Sequence, residues 1–143
     1  MVSERVPLTI LNNLIHDEEY TRKVIPFIEE DYFEEKSDKV VFEEIHAFLK
    51  TYDSLPTKEV LQIEVGKRTD LTQDEFQSTE QLISALSETE YEKKWVLDTT
   101  EAWCKERAIY NALMESIKIA DGQDEKKNRD AIPSILSDAL AVG

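Results

Sequence analysis

From Thr89 the chain runs to Gly122 without a helix breaker. Thr89 with Glu92 three residues later has the capping-box pattern that opens a helix, and no proline or glycine interrupts the chain from there until Gly122. The spacing predicts one helix of about 32 residues, some 48 Å long at the α-helical rise. A chain of 143 residues has the size of one domain, too small to enclose both ends of such a rod, so the distal half is expected to project. That half is nevertheless apolar: Ile109, Leu113 and Ile117 form one stripe, and Tyr110, Met114 and Ile119 widen it. An apolar arm outside the body of a domain requires partners.

Everything before that rod also reads as helix. Only 3 glycines and 4 prolines are available for turns, whereas good helix formers abound. Val6, Leu8, Leu11, Leu14 and Ile15 mark a first helix over about 4–15, with Ser3 as its cap. Asp17 is placed as the cap of a second, with Glu18 and Glu19 in the first turn and Pro26 ending it near Ile25. The acidic connector 29–35 is expected to fold Tyr32 and Phe33 back onto the core. Ser37 or Asp38 should open a third helix with Val41, Phe42, Ile45, Phe48, Leu49 and Tyr52 on one face. Thr57 should cap a fourth, ended by a left-handed Gly66. Thr72 and Glu75 form a capping box for a fifth that buries Phe76, Leu82, Ile83 and Leu86. After the polar turn 121–130, Asp130 should cap a last helix whose first turn holds Pro133 and whose apolar face is Ile132, Ile135, Leu136, Ala139 and Leu140. The expected fold is all-α: a head of about five helices within 1–88, and a protruding helical hairpin over 89–143.

Net charge is −14, from 31 acidic and 17 basic residues. Nucleic-acid affinity comes largely from Lys and Arg displacing counterions, so direct nucleic-acid binding is not expected. The basic pairs Lys67-Arg68, Lys93-Lys94 and Lys126-Lys127 each have acidic neighbours. No apolar run is long enough for a membrane helix. The one cysteine, Cys104, allows no internal disulfide, which suits a reducing compartment and a cytoplasmic location.

Chemistry-bearing patterns are missing from the sequence. It contains no G-x-x-x-x-G-K-[ST] phosphate loop, no G-x-G-x-x-G and no G-x-S-x-G. His16, His46 and Cys104 are isolated, without metal-ligand spacing. No catalytic, cofactor or metal residue is therefore assigned. Two features admit alternatives. Trp95 and Trp103 are both core anchors, or one of them, Trp103 before Trp95, belongs to a protein interface. Glu29, Glu30, Glu34 and Glu35 form a solvated connector, or a docking patch for a basic partner.

The segments "LTILNNLIHDEEY" (8–20), "DYFEEKSDKVVFEEIHAFLK" (31–50), "LPTKEVLQIEVGKR" (55–68), "KKWVLDTTEAWCKERAIYNAL" (93–113) and "AIPSILSDALAV" (131–142) together resemble the N-terminal domain of DnaB-like replicative DNA helicases, on the T-even phage side of that family. The resemblance implies a helical head with a long hairpin, in a collar stacked on a ring of ATPase domains. It also implies a hexameric 5′→3′ helicase as the parent protein, with primase as a docking partner and with ATP and Mg2+ held only by an ATPase domain beyond Gly143. The hairpin residues Ile109, Tyr110, Leu113, Met114, Ile117, Ile135, Leu136 and Leu140, with Trp103, would face another subunit or the opposite arm. In isolation the fragment is expected to be monomeric or dimeric. A rival reading is a free-standing acidic adaptor that binds a basic protein, distinguished by whether a phosphate loop is encoded after Gly143 in the reading frame.

Overall fold

The computed structural model describes residues 6–142, so the expected Ser3 cap lies outside the described residues. Seven α-helices and no strand occur among them: α1 (Val6–His16), α2 (Glu18–Val24), α3 (Lys36–Tyr52), α4 (Lys58–Gly66), α5 (Gln73–Ala85), α6 (Lys93–Ala120) and α7 (Ile132–Leu140). The chain forms two compact units, 1–100 and 101–143, and their boundary falls inside α6.

In the first unit, α3 is the central helix and packs against α1, α4 and α5. Its Val40, Val41, Phe42 and Ile45 are almost fully buried, together with Ile10, Leu11 and Leu14 of α1, Leu61 and Val65 of α4, and Ile83 of α5. Pro26 lacks a donor and stops α2 at Val24, after which the chain passes through a single 3-10 turn, Ile25–Phe27. The acidic connector folds back as expected. Tyr32 and Phe33 are buried, and the Phe33 ring lies 5.2 Å from that of Phe42.

Local hydrogen bonds explain where most helices start. Asp17 accepts from the Tyr20 N–H at 3.0 Å, and Thr57 from the Val60 N–H at 3.1 Å. Thr72 and Glu75 form the reciprocal capping box. Several expectations are corrected. The third helix begins at Lys36, ahead of Ser37 and Asp38, with Glu35 at its N-cap and no side-chain cap bond. Gly66 lies inside α4; the left-handed residue of this region is Asp53, φ 52°, after α3. Asp53 tolerates that conformation because Arg22 donates to its carboxylate at 2.9 Å and to its carbonyl at 3.1 Å. Tyr52, in the last turn of α3, is 67 % exposed and stacks on Phe48 at 4.7 Å. Finally, α6 starts at Lys93: Glu92 is its capping group, accepting from the N–H groups of Lys94 and Trp95 at 3.2 and 2.9 Å, while Thr89 bonds to Ser87.

The start of α6 is tied into the first unit by buried polar groups. Asn12, 3 % exposed, accepts from the Ser87 N–H at 2.9 Å and donates to the Tyr91 hydroxyl at 3.4 Å. The Tyr20 and Thr100 hydroxyls lie 2.6 Å apart in the core. Such buried groups are costly unless paired, so they fix one geometry for the loop that precedes α6.

The second unit contains the distal part of α6, a polar turn and α7. Helix α6 is unbroken for 28 residues, about 42 Å at the α-helical rise. It ends in a Schellman motif: Gly122, φ 74°, donates to the Ile119 carbonyl at 3.0 Å, and the Gln123 N–H to that of Lys118 at 2.9 Å. The chain then returns, so that Lys127 pairs with Glu115 and Arg129 reaches the Ala120 carbonyl at 3.4 Å. Asn128, not Asp130, supplies the cap before α7: it accepts from the Asp130 N–H at 3.0 Å and opens the 3-10 turn Arg129–Ala131. Pro133 sits in the first turn of α7, as expected.

A candidate interaction surface on the second unit

Along residues 101–120, α6 has two dissimilar faces. Cys104, Ala108, Ala112, Ser116 and Ile119 are buried. Their spacing of three and four residues marks one side of a helix, and most are small enough for close approach of a neighbouring backbone. Tyr110, Leu113, Met114 and Ile117 are 47, 48, 42 and 52 % exposed, and Leu140 of α7 is 63 % exposed. Arg107 lies over the Tyr110 ring at 4.8 Å, which holds that aromatic side chain outward.

Of the residues singled out from sequence, Ile109, Ile135 and Leu136 are half-buried, while Tyr110, Leu113, Met114, Ile117 and Leu140 are exposed. Ile119, expected to widen the stripe, is 3 % exposed and belongs to the other face. The two tryptophans take opposite roles. Trp103 is 4 % exposed and is a core residue, whereas Trp95 is 50 % exposed and stacks on Tyr91 at 6.0 Å. Trp103 is therefore not part of an accessible surface in this chain, and Trp95 is not a core anchor. Eight residues of α-helix leave two side chains about 80° apart in azimuth, enough to separate a buried position from an open one.

The acidic residues Glu29, Glu30, Glu34 and Glu35 are all exposed, but they are not equivalent. Glu29 accepts from the Tyr32 hydroxyl at 3.3 Å. A hydrogen bond with Glu43 raises the Glu30 carboxyl above its usual range, and burial adds to the shift. Nearby, Arg68 is clamped by Glu43, Glu44 and Asp70 at 3.1, 2.9 and 2.8 Å, and its guanidinium holds the Asp70 carboxyl down to about 2. One lysine of each basic pair is likewise occupied: Lys67 with Glu64 at 2.8 Å, Lys94 with Asp98 at 2.7 Å, and Lys127 with Glu115. No uninterrupted basic strip results.

Burial pushes the Cys104 thiol up to about 12, which leaves it an unreactive packing group. No cluster of three or more His, Cys, Asp or Glu side chains able to hold a metal ion occurs among the described residues, and none of their helices is long and apolar enough to cross a membrane. The fold and this surface define an all-helical chain with an open apolar face on one unit and a strongly acidic other unit.

No protein-family profile matches the chain. It is 31 % identical over 141 residues to a DnaB-like replicative helicase of Enterobacteria phage T4, an alignment that takes in 93 % of this chain. The resemblance carried by the motifs therefore holds: over nearly its whole length the chain is similar to part of a DnaB-like replicative helicase. It spans 30 % of that relative's length.

Proposed function

We propose that this chain is a non-catalytic N-terminal collar domain of a hexameric replicative DNA helicase, joining subunits through its second unit and docking primase. The observation that carries the reading is the open apolar face of α6 formed by Tyr110, Leu113, Met114 and Ile117, with Leu140 of α7 also exposed. Fully burying an aliphatic side chain of this size contributes roughly 1.5–3 kcal/mol. The side chains already retain about half their exposure, so each would gain only part of that on pairing. Several together suit a contact between subunits that a ring elsewhere in the protein reinforces.

Unwinding, and the ATP and Mg2+ it requires, are assigned to the part of such a helicase that this chain does not span. The similarity to the phage helicase over 93 % of the chain supports that division, as does the lack of a phosphate loop in the sequence. Primase docking is assigned to the acidic first unit, with Glu34 and Glu35 the more available members of the patch that also holds Glu29 and Glu30. The test of the association role is sedimentation equilibrium of the chain and of Leu113→Asp. The variant should keep the helical content of the parent and lose self-association. Equal association constants would remove the proposed interface.

A further inference from the structure

A cavity of about 410 Å3 lies within the first unit, where α1 ends, α4 begins and the chain leaves α5. Its lining includes Ile15, His16 and Leu86, together with the exposed residues Glu59 and Glu88 from two separate segments. Lys58 also lines it, and its ammonium group, donating to the carbonyls of Ser84 and Leu86 at 2.9 and 3.0 Å, leaves one positive charge beside the two carboxylate residues. Among the described residues neither Glu59 nor Glu88 has an ion-pair partner.

We propose that this cavity receives one arginine side chain from a segment of a partner protein, with Glu59 and Glu88 holding the guanidinium and Ile15 and Leu86 covering its aliphatic stem. The volume exceeds what one side chain needs and falls in the range of ligand-sized pockets. A guanidinium presents several N–H donors in a fixed plane, so it can serve two carboxylates at once, which a point-like ammonium does less well. Residues 1–100 carry 23 acidic against 11 basic side chains, a field that draws a basic segment toward this unit before the cavity selects within it. The inference does not rest on the helicase reading, and its site is separate from both the 29–35 patch and the apolar face of the second unit.

The probe is an acetylated, amidated Gly-Ser-Arg-Ser-Gly peptide, titrated into the 15N-labelled chain beside the same peptide carrying citrulline, which has the shape of arginine without its charge. The arginine peptide should shift the amide signals of Glu59, Ser87 and Glu88, and the citrulline peptide should not. Glu59→Gln and Glu88→Gln should each weaken binding about three- to tenfold, as expected for partly exposed charge-assisted hydrogen bonds. Both substitutions are isosteric, and the 15N spectrum itself reports whether the fold is kept. Neutralising Glu29, Glu30, Glu34 and Glu35 together should leave the affinity within about twofold, because screening weakens distant surface charges. The proposal is overturned if the shifts centre on 29–35, if citrulline binds equally, or if the Glu59→Gln, Glu88→Gln double variant binds like the parent. Sedimentation of Leu113→Asp is indifferent to each of those results, so the two ideas fail separately.

Discussion

The two units of this chain solve opposite problems. Residues 1–100 enclose an apolar core around α3 and are strongly acidic, with 23 acidic and 11 basic side chains; residues 101–143 have 8 and 6. The first unit buries most of its large aliphatic side chains, Ile63 at 53 % exposed being an exception, and shows charge, whereas the second leaves Leu113, Met114, Ile117 and Leu140 open and is nearly neutral. Acidic surfaces keep protein bodies apart, and neutral apolar ones bring them together. The contrast separates a unit whose apolar core is closed from one that keeps an apolar surface open.

Truncating one large side chain in each unit should expose that difference most strongly. Phe42, 1 % exposed, should cost about 3–5 kcal/mol of stability as Phe42→Ala, as for other buried aromatics. Leu113→Ala should cost less than about 0.5 kcal/mol in a dilute monomer. Urea denaturation of both variants at low concentration gives the two values, and equal losses would erase the distinction.

Next in size is the polar anchor before α6. Asn12→Ala leaves the Ser87 N–H without its acceptor and the Tyr91 hydroxyl without its donor, and should cost about 1–3 kcal/mol. Amide exchange should quicken at Ser87 in this variant and remain unchanged around Ile117. Thr57→Ala removes the cap of α4 and should lower stability by about 1 kcal/mol, measured by thermal melting against Thr57→Ser, which keeps the bond.

The last contrast concerns pH. Burial, with a contribution from Glu35, pushes the Asp38 carboxyl up to about 6. The folded chain therefore holds this proton more tightly than the unfolded chain does. Stability from this group is fully present below the ordinary carboxylate range, about pH 4, and is lost as pH rises through about 6. Asp38→Asn should flatten the melting-temperature profile between those limits and raise stability at neutral pH. A profile that keeps its slope in the variant would assign the pH dependence to other groups, such as Glu30.

Features of the fold that depend on near neighbours in the chain were legible in the sequence. Asp17, Thr57 and Thr72 cap their helices because the acceptor and the N–H it serves are three residues apart. Pro26 acts through its own missing donor. Two of the misplaced features depend on contacts far apart in sequence. Thr89 had the pattern of a cap, but Asn12 draws the chain at Ser87 toward α1, and the helix waits until Glu92. Asp53 is left-handed because Arg22, on another helix, stabilises it there. Within the candidate surface, helical periodicity located the stripe of Leu113 and Ile117, whereas the rotational phase of α6 against its surroundings decided that Ile119 and Trp103 are buried and Trp95 is open. The cavity at Glu59 and Glu88 left no sequence signal, since its lining comes from three separate segments.

The central claim is that the apolar face of the second unit becomes covered by another copy while the surface of the first stays open. Met114, 42 % exposed, and Trp95, 50 % exposed, report on the two regions within one sample. A soluble paramagnetic probe broadens the Met114 methyl signal and the Trp95 indole signal in proportion to their access to solvent. As protein concentration rises, Met114 should become protected while Trp95 remains as accessible as before, and Leu113→Asp should abolish the protection. Met114 broadening that stays constant across the concentration range, in step with Trp95, would contradict the account.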